Sequence, residues 1–233
     1  MVESTPEPET QSRKSARIGI VDLQGGVVEH VDHLERIGVE TSRIKKPADL
    51  SDDLAGLILP GGESTCLTRL FATSGLDQEI KKRFREKELK IWGTCAGAIL
   101  VANRIVGEEA KLSFIDIEVE RNAFGSQLDS FKTIVSIQEV ATEALPLTFI
   151  RAPKILAAGP DVQVLLRQRG YIAMAENERV LVTVFHPELT PCLEFHRYFA
   201  RKCGLDSSRD KAGGTASTPP PWSTTSWTRH VKV

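Results

Sequence analysis

The stretch that most restricts the fold is Lys90-Ile91-Trp92-Gly93-Thr94-Cys95-Ala96-Gly97-Ala98-Ile99-Leu100. An apolar, strand-like approach ends in small residues, and a helix-forming run begins immediately after the cysteine. A chain that turns from strand to helix this sharply lifts the side chain at the turn above the strand's end. There the N–H groups and positive end of the following helix favour thiolate over thiol. The neighbouring glycines permit the turn and leave room for a substrate. Cys95 is therefore a candidate nucleophile, although Gly-x-Cys-x-Gly also describes a small, inert thiol at a packed turn.

The chain around this stretch alternates strands with helices. Arg17 to Leu23 reads as a strand, Gln24-Gly25-Gly26 as a turn, and Val27 to Ile37 as an amphipathic helix stopped at Gly38. Val39 to Ile44 is a second strand. Ala55-Gly56-Leu57-Ile58-Leu59-Pro60 is a third, running into Gly61-Gly62-Glu63-Ser64-Thr65, where Ser64 or Thr65 is expected to cap a helix starting near Cys66. A helix from Gly75 to Lys87 delivers the chain to the Cys95 strand. This order predicts an α/β fold, a doubly wound and mainly parallel sheet flanked by helices in a flavodoxin-like three-layer sandwich. Such sheets place their sites beyond the carboxyl ends of the strands, so the turns at Gln24, Gly61-Gly62-Glu63 and Cys95 share one rim.

The second half is richer in strands: Phe114 to Val119, Phe131 to Ile137, Leu147 to Ile150, Val162 to Arg167, Tyr171 to Ala175 and Val180 to Val184. A last helix runs from about Cys192 to Arg201. Residues 1–16 and 206–233 lack periodic apolar residues and read as disordered tails around one domain at 17–205.

Composition narrows the function classes. The 233 residues are 41% hydrophobic and 26% charged, enough for one core. Thirty basic and 31 acidic residues give a formal net charge of −1, which offers no footprint for nucleic acid. No run approaches the roughly 20 apolar residues of a membrane span, and the N-terminus is acidic and polar, so a cytoplasmic protein without membrane contact is expected. Cys66, Cys95, Cys192 and Cys203 have neither the number for a disulfide framework nor the spacing of zinc ligands. His30 and His33 could bind metal only with a third ligand that the sequence does not offer, and both read as helix-surface residues. Cys66, Cys192, Cys203 and His196 read as packing or helix-face residues.

A cysteine nucleophile needs a base that takes its proton and returns one to a leaving group. His186 in Phe185-His186-Pro187-Glu188-Leu189 has a suitable pKa, and Glu188 can orient and polarise its ring. In extended chain, residues two apart point the same way, so the carboxylate is expected to reach the imidazole.

Gly93-Thr94-Cys95-Ala96-Gly97 together with Phe185-His186-Pro187-Glu188-Leu189 resembles the catalytic triad of the class I, triad-type glutamine amidotransferases. Four further segments narrow the resemblance: Leu23-Gln24-Gly25, Pro60-Gly61-Gly62-Glu63-Ser64-Thr65, Arg121-Asn122-Ala123-Phe124-Gly125-Ser126-Gln127 and Phe149-Ile150-Arg151-Ala152-Pro153. Together they are similar to the glutaminase subunits of pyridoxal 5'-phosphate synthase, in order and at family-like spacing from about Ile18 to Gly204.

The resemblance implies that Cys95 attacks the side-chain amide of L-glutamine, that His186 protonates departing ammonia and later activates water, and that Glu188 holds His186. It implies an oxyanion hole from backbone N–H groups at Gly62 and Ala96, completed when the Pro-Gly-Gly turn rearranges. Substrate contacts fall to Gly62, Glu63, Ser64, Arg121, Ile150 and Arg151, with Glu63 meeting the ammonium and Arg121 the carboxylate. Gln24 is implied to lie near the oxyanion turn and the partner interface. The implied partner is the (β/α)₈-barrel synthase subunit, which receives the ammonia internally. No cofactor or metal is called for in the glutaminase.

The chain departs from the family at four places. Asp22 stands where a small or apolar residue is usual, and Cys66 where a second Thr is common. The 108–114 segment is short and lacks the usual glycines, and the tail from Asp206 has no counterpart. Two alternatives remain at this stage. One is the glutaminase of another amidotransferase, such as imidazole glycerol phosphate synthase; the other is a catalytically silent regulatory scaffold with this fold.

Overall fold

A computed structural model describes residues 16–121 and 130–207. The two tails and Asn122-Ala123-Phe124-Gly125-Ser126-Gln127 of the family-like loop lie outside the described residues. The elements run β1 (Arg17–Val21), α1 (Val27–Arg36), β2 (Thr41–Ile44), β3 (Leu54–Leu59), α2 (Ser64–Ser74), α3 (Leu76–Glu86), β4 (Lys90–Thr94), α4 (Ala96–Val101) and β5 (Ala102–Ile105). They continue with β6 (Ile115–Glu120), β7 (Phe131–Val135), β8 (Leu145–Phe149), β9 (Lys154–Ala158), β10 (Gln163–Gln168), β11 (Tyr171–Glu176), β12 (Val180–Thr183) and α5 (Glu194–Lys202).

The apolar runs of the first half pair in the order β2-β1-β3-β4, and β12 from the second half joins β4, all parallel. Beyond β12 the sheet continues through β11, β9, β6 and β5, with antiparallel pairings except between β5 and β6, and β10 pairs with β11. The fold is the expected mainly parallel α/β sheet flanked by helices, and the whole site-bearing half is parallel. Register aligns the strand ends there: Leu59 is opposite Gly93, and Thr94 opposite Thr183. The turns after β1, β3, β4 and β12 therefore open on one edge, as the strand-helix alternation predicts.

Alternation along β4 decides which helix meets which side chain. The Trp92 ring stacks edge-on against His30 of α1 and His196 of α5 and also meets Phe199. Gly93, pointing the other way, lies against Gly97 and Ala98 of α4. Helices α1 and α5 thus cover one face, and α4, joined by α2, the other. Trp92 is fully buried, and removing such a ring from water contributes about 3 kcal/mol.

Two strands escape sequence reading. Strand β5 follows α4 without a break, so Ala102–Ile105 reads as more helix, and β9 is a short run behind Pro153. The 108–114 segment packs despite its lack of glycines: Leu112 N donates to Leu100 O at 2.9 Å, and Ser113 adopts the left-handed φ of 60°. Asp22 is accommodated by ion pairs with Arg43 at 3.7 Å and Lys45 at 3.4 Å. No helix among the described residues is long and apolar enough to cross a membrane.

Candidate active site

Cys95 stands between β4 and α4 with φ 47° and ψ −104°. A side chain other than glycine held there costs about 1–3 kcal/mol and persists only where the surroundings over-determine it. Here Cys95 N donates to Thr183 O at 2.8 Å, and Ala98 N donates to Cys95 O at 3.1 Å. The sharp elbow read from the sequence is present, and its thiol lies 4.0 Å from the Ile150 carbonyl.

His186 follows β12. Its backbone N–H donates to Thr148 O at 2.8 Å, tying it to β8. Its ring is buried, and Nδ1 donates to Glu188 Oε1 at 2.8 Å. The contact is not made through extended chain, as the spacing suggests. Pro187–Leu189 forms a 3-10 turn, which Pro187 favours by its fixed φ and missing N–H, and the carboxylate meets the ring from within that turn.

Burial alone would push His186 below the usual histidine range. The adjacent Cys95 and Glu188, both hydrogen-bonded to the ring and both acting on it electrostatically, override this and hold its pKa well above it. Burial would likewise raise Glu188, yet His186 and then His30 hold its carboxyl below the usual range. His186 is therefore favoured as the imidazolium and Glu188 as the carboxylate, with the Cys95 thiol on the other side of the ring, the arrangement in which a cysteine is activated for attack.

A cleft of about 470 Å³ opens above this line, within the roughly 300–1,000 Å³ typical of small-molecule sites. Gln24, Gly62, Glu63, Ser64, Cys95, Ala96, Arg121, Ile150, Arg151 and His186 all line it. Glu188 alone of the sequence-derived candidates does not, because it is fully buried on the far side of His186. The Gly61 turn presses on Cys95 and His186: a Cβ at Gly61 would stand 2.5 Å from His186 Cε1 and 3.1 Å from Cys95 Cβ. Gly61 N donates to Thr94 Oγ1 at 2.9 Å, and the Gln24 side-chain amide lies against Gly62.

Neither Ser64 nor Thr65 caps α2. Glu63 does, accepting from Thr65 N at 3.0 Å and Cys66 N at 2.6 Å, because its longer side chain reaches both exposed N–H groups of the first turn. These backbone donors, the Thr65 one foremost, lower the Glu63 pKa. Arg121 donates to Thr65 Oγ1 at 2.8 Å, pairs with Glu108, and lies 3.9 Å from Glu63 Oε1. Arg151 is exposed, with φ 43°.

His30 and His33 are not on the helix surface; both are fully buried, as is His196. His30 Nδ1 and His196 Nε2 are 2.9 Å apart, and His30 Nε2 lies 3.6 Å from Glu188 Oε2 and 3.5 Å from Thr94 Oγ1. His33 bridges Glu29 O at 2.9 Å and Thr190 O at 2.8 Å, pinning α1 to the Glu188 turn. The signal was available: Val27, His30, Leu34 and Ile37 recur at three- and four-residue spacing, so His30 falls on the helix's apolar face. Thr94 left no such trace. The other cysteines differ from Cys95. Burial raises Cys192 and pushes Cys203 up to about 12, and Cys66 is exposed on α2.

The sequence matches the SNO glutamine amidotransferase family over residues 20–205. It is 53% identical over 212 residues to the pyridoxal 5'-phosphate synthase subunit PdxT of Syntrophus aciditrophicus, covering 91% of this chain and 93% of that one. It is 50% identical over 188 residues to the subunit of the same name from Clostridium botulinum, covering 80% and 96%. Among solved structures it is similar to a glutamine amidotransferase at 39% identity with a TM-score of 0.75, covering 81% of this chain and 99% of that one. A putative GMP synthase component from Thermoplasma acidophilum shares the fold at 19% identity, with a TM-score of 0.60 over 82% of this chain and 94% of that one.

Proposed function

Because this chain belongs to the SNO glutamine amidotransferase family, we propose that Cys95, His186 and Glu188 are the catalytic triad with which it hydrolyses L-glutamine. The enzyme is the glutaminase subunit of a pyridoxal 5'-phosphate synthase. The observation that carries the triad is the buried line from the strained Cys95 elbow through His186 to Glu188 at the floor of the cleft.

The Cys95 thiolate adds to the γ-amide carbon, and the carbonyl electrons move onto oxygen. Backbone N–H groups at Ala96 and Gly62 stabilise that oxyanion; removing one such donor typically costs about 10²–10³ in rate. The His186 imidazolium gives its proton to the leaving nitrogen, so ammonia departs and a γ-glutamyl thioester remains. Neutral His186 then takes a proton from water, hydroxide adds to the thioester, and glutamate leaves as the thiolate is restored. Ser64, Arg121 and the Ile150-Arg151 backbone face the substrate's α-groups, together with Glu63, whose carboxylate is already held at the start of α2.

The partner is a synthase subunit, which we take to be a (β/α)₈ barrel that consumes the ammonia, with Gln24 near the shared surface. The catalytic domain is assigned to 17–205, in keeping with the family match over 20–205, and its setting to the cytoplasm. Glutamate release from L-glutamine by the full chain, alone and with the synthase subunit, beside Cys95→Ala, tests the reading. Release that rises with the partner and vanishes in the variant supports it. Release indifferent to the partner points to another amidotransferase, and none at all to a silent scaffold.

A further inference from the structure

We propose that His30 is a positioning residue of the glutaminase: its Nε2–H is aimed at the second oxygen of Glu188, so that the triad carboxylate is held between two imidazoles. The role rests on the triad reading above. Glu188 Oε1 is taken by His186, whereas Oε2 is buried and has no hydrogen-bond partner among the described residues. A buried carboxylate oxygen left without a donor is expensive. His30 Nε2 lies 3.6 Å from it, just outside hydrogen-bond length, and catalytic hydrogen bonds of this kind tighten in the loaded site.

The proton positions follow from the geometry. A carboxylate only accepts, so the nitrogen facing it carries the hydrogen. His30 Nδ1 is then an acceptor, and the 2.9 Å contact requires the proton on His196 Nε2. That leaves His196 Nδ1 bare, and it is the ring atom that meets no partner among the described residues. The opposite assignment would aim a lone pair at the Glu188 carboxylate and bury an N–H on His196 with no acceptor, a double penalty. One tautomer chain therefore runs from α5 through α1 to the triad. The same His30 nitrogen lies 3.5 Å from Thr94 Oγ1, which accepts Gly61 N–H at 2.9 Å, so His30 also touches the support of the oxyanion turn.

The groups that bear on this pair are His186 and, beyond it, Cys95; Glu29, His33, Asp32 and Arg36 on α1; and His196 on α5. Burial first, then His33 and His186, lower the His30 pKa to about 4 against the pull of Glu188. His30 is thus a neutral donor at working pH.

The test compares His30→Leu with His30→Gln, which keeps an amide donor, in the full chain assembled with the synthase subunit. In His30→Leu, kcat for glutamate release falls about 10–10²-fold with KM retained. The acid limb of kcat/KM moves to higher pH, because a carboxylate that loses a donor is protonated more easily. His30→Gln restores both. Ring-nitrogen NMR of the ¹⁵N-histidine-labelled wild-type chain reports the Nε2–H tautomer for His30 and for His196, whatever the variants do. An Nδ1–H tautomer at His30 overturns the proposal, as does an acid limb that stays put in both variants. A wild-type chain with no glutaminase activity would sink the proposed function, while the tautomer reading would still decide this one.

Discussion

Glu188 separates two fully buried histidines that end in opposite protonation states. On the cleft side, His186 is held well above the usual histidine range; on the α1 side, His30 is lowered to about 4. Both are desolvated, and both feel the same carboxylate. What differs is the contact with Glu188, hydrogen-bonded to His186 at 2.8 Å but 3.6 Å from His30, and the next neighbour: Cys95 beyond His186, and His196, with His33 behind it, beyond His30. A carboxylate nearby does not by itself hold a buried imidazole protonated: His186 has hydrogen bonds to Glu188 and Cys95 on its two sides, and the sheet sets Cys95 and His186 together by aligning the ends of β4 and β12.

Removing the Cys95 thiol from the far side of His186 should break the contrast most completely. Cys95→Ala is expected to abolish glutamate release and to bring the His186 pKa down toward that of His30, read by histidine NMR titration; a His186 that stays high would mean that Glu188 suffices. Glu188→Gln removes the shared charge, and glutaminase assays should show kcat reduced about 10²–10⁴-fold with the fold retained. Gly26→Ala acts more gently. Its Cβ would stand 2.8 Å from Glu188 Oε1, pushing the carboxylate off His186, and about a 10–10²-fold loss in kcat is expected in the same assay.

Stability against pH sharpens the comparison further. His30, His33 and His196 all have folded pKa values below 6.5, so the unfolded chain binds more protons. Stability is therefore lost as pH falls below about 6.5, for His30 through about 4, by up to about 1.4 kcal/mol per pH unit for each group. Glu188, lowered, adds to the loss at the acid end. His186, raised, contributes stability that is full below 6.5 and lost as pH rises through its folded value. Urea unfolding at several pH values should show the acid-side slope, and His196→Leu should flatten it. The smallest effect is expected away from this axis: Cys203→Ser, under α5, should leave glutaminase activity unchanged and cost about 1 kcal/mol in the same unfolding experiment.

Much of the active-site rim was readable because its signals are local. Apolar runs ending in Gly61-Gly62, in Thr94-Cys95 and in Phe185-His186 announce strand ends and turns without reference to the rest of the chain. Glu63 as the α2 cap was missed because Ser64 and Thr65 compete for the same role one and two residues on, and side-chain reach decides among them. Strand β5 was missed because a strand that continues directly from a helix carries no turn residue to mark it.

The sequence by itself determined the α/β alternation, the elbow cysteine and the family likeness, since each is written within a few consecutive residues. Tertiary structure alone decided the charge state of the histidines. His30 and His196 are 166 residues apart in the chain and 2.9 Å apart in space, and His30 meets Glu188 only because α1 and α5 pack on one face of β4. Periodicity can say that a histidine faces inward. Which charge it meets there depends on elements brought together from opposite ends of the chain, and at these distances that neighbour fixes where the proton sits.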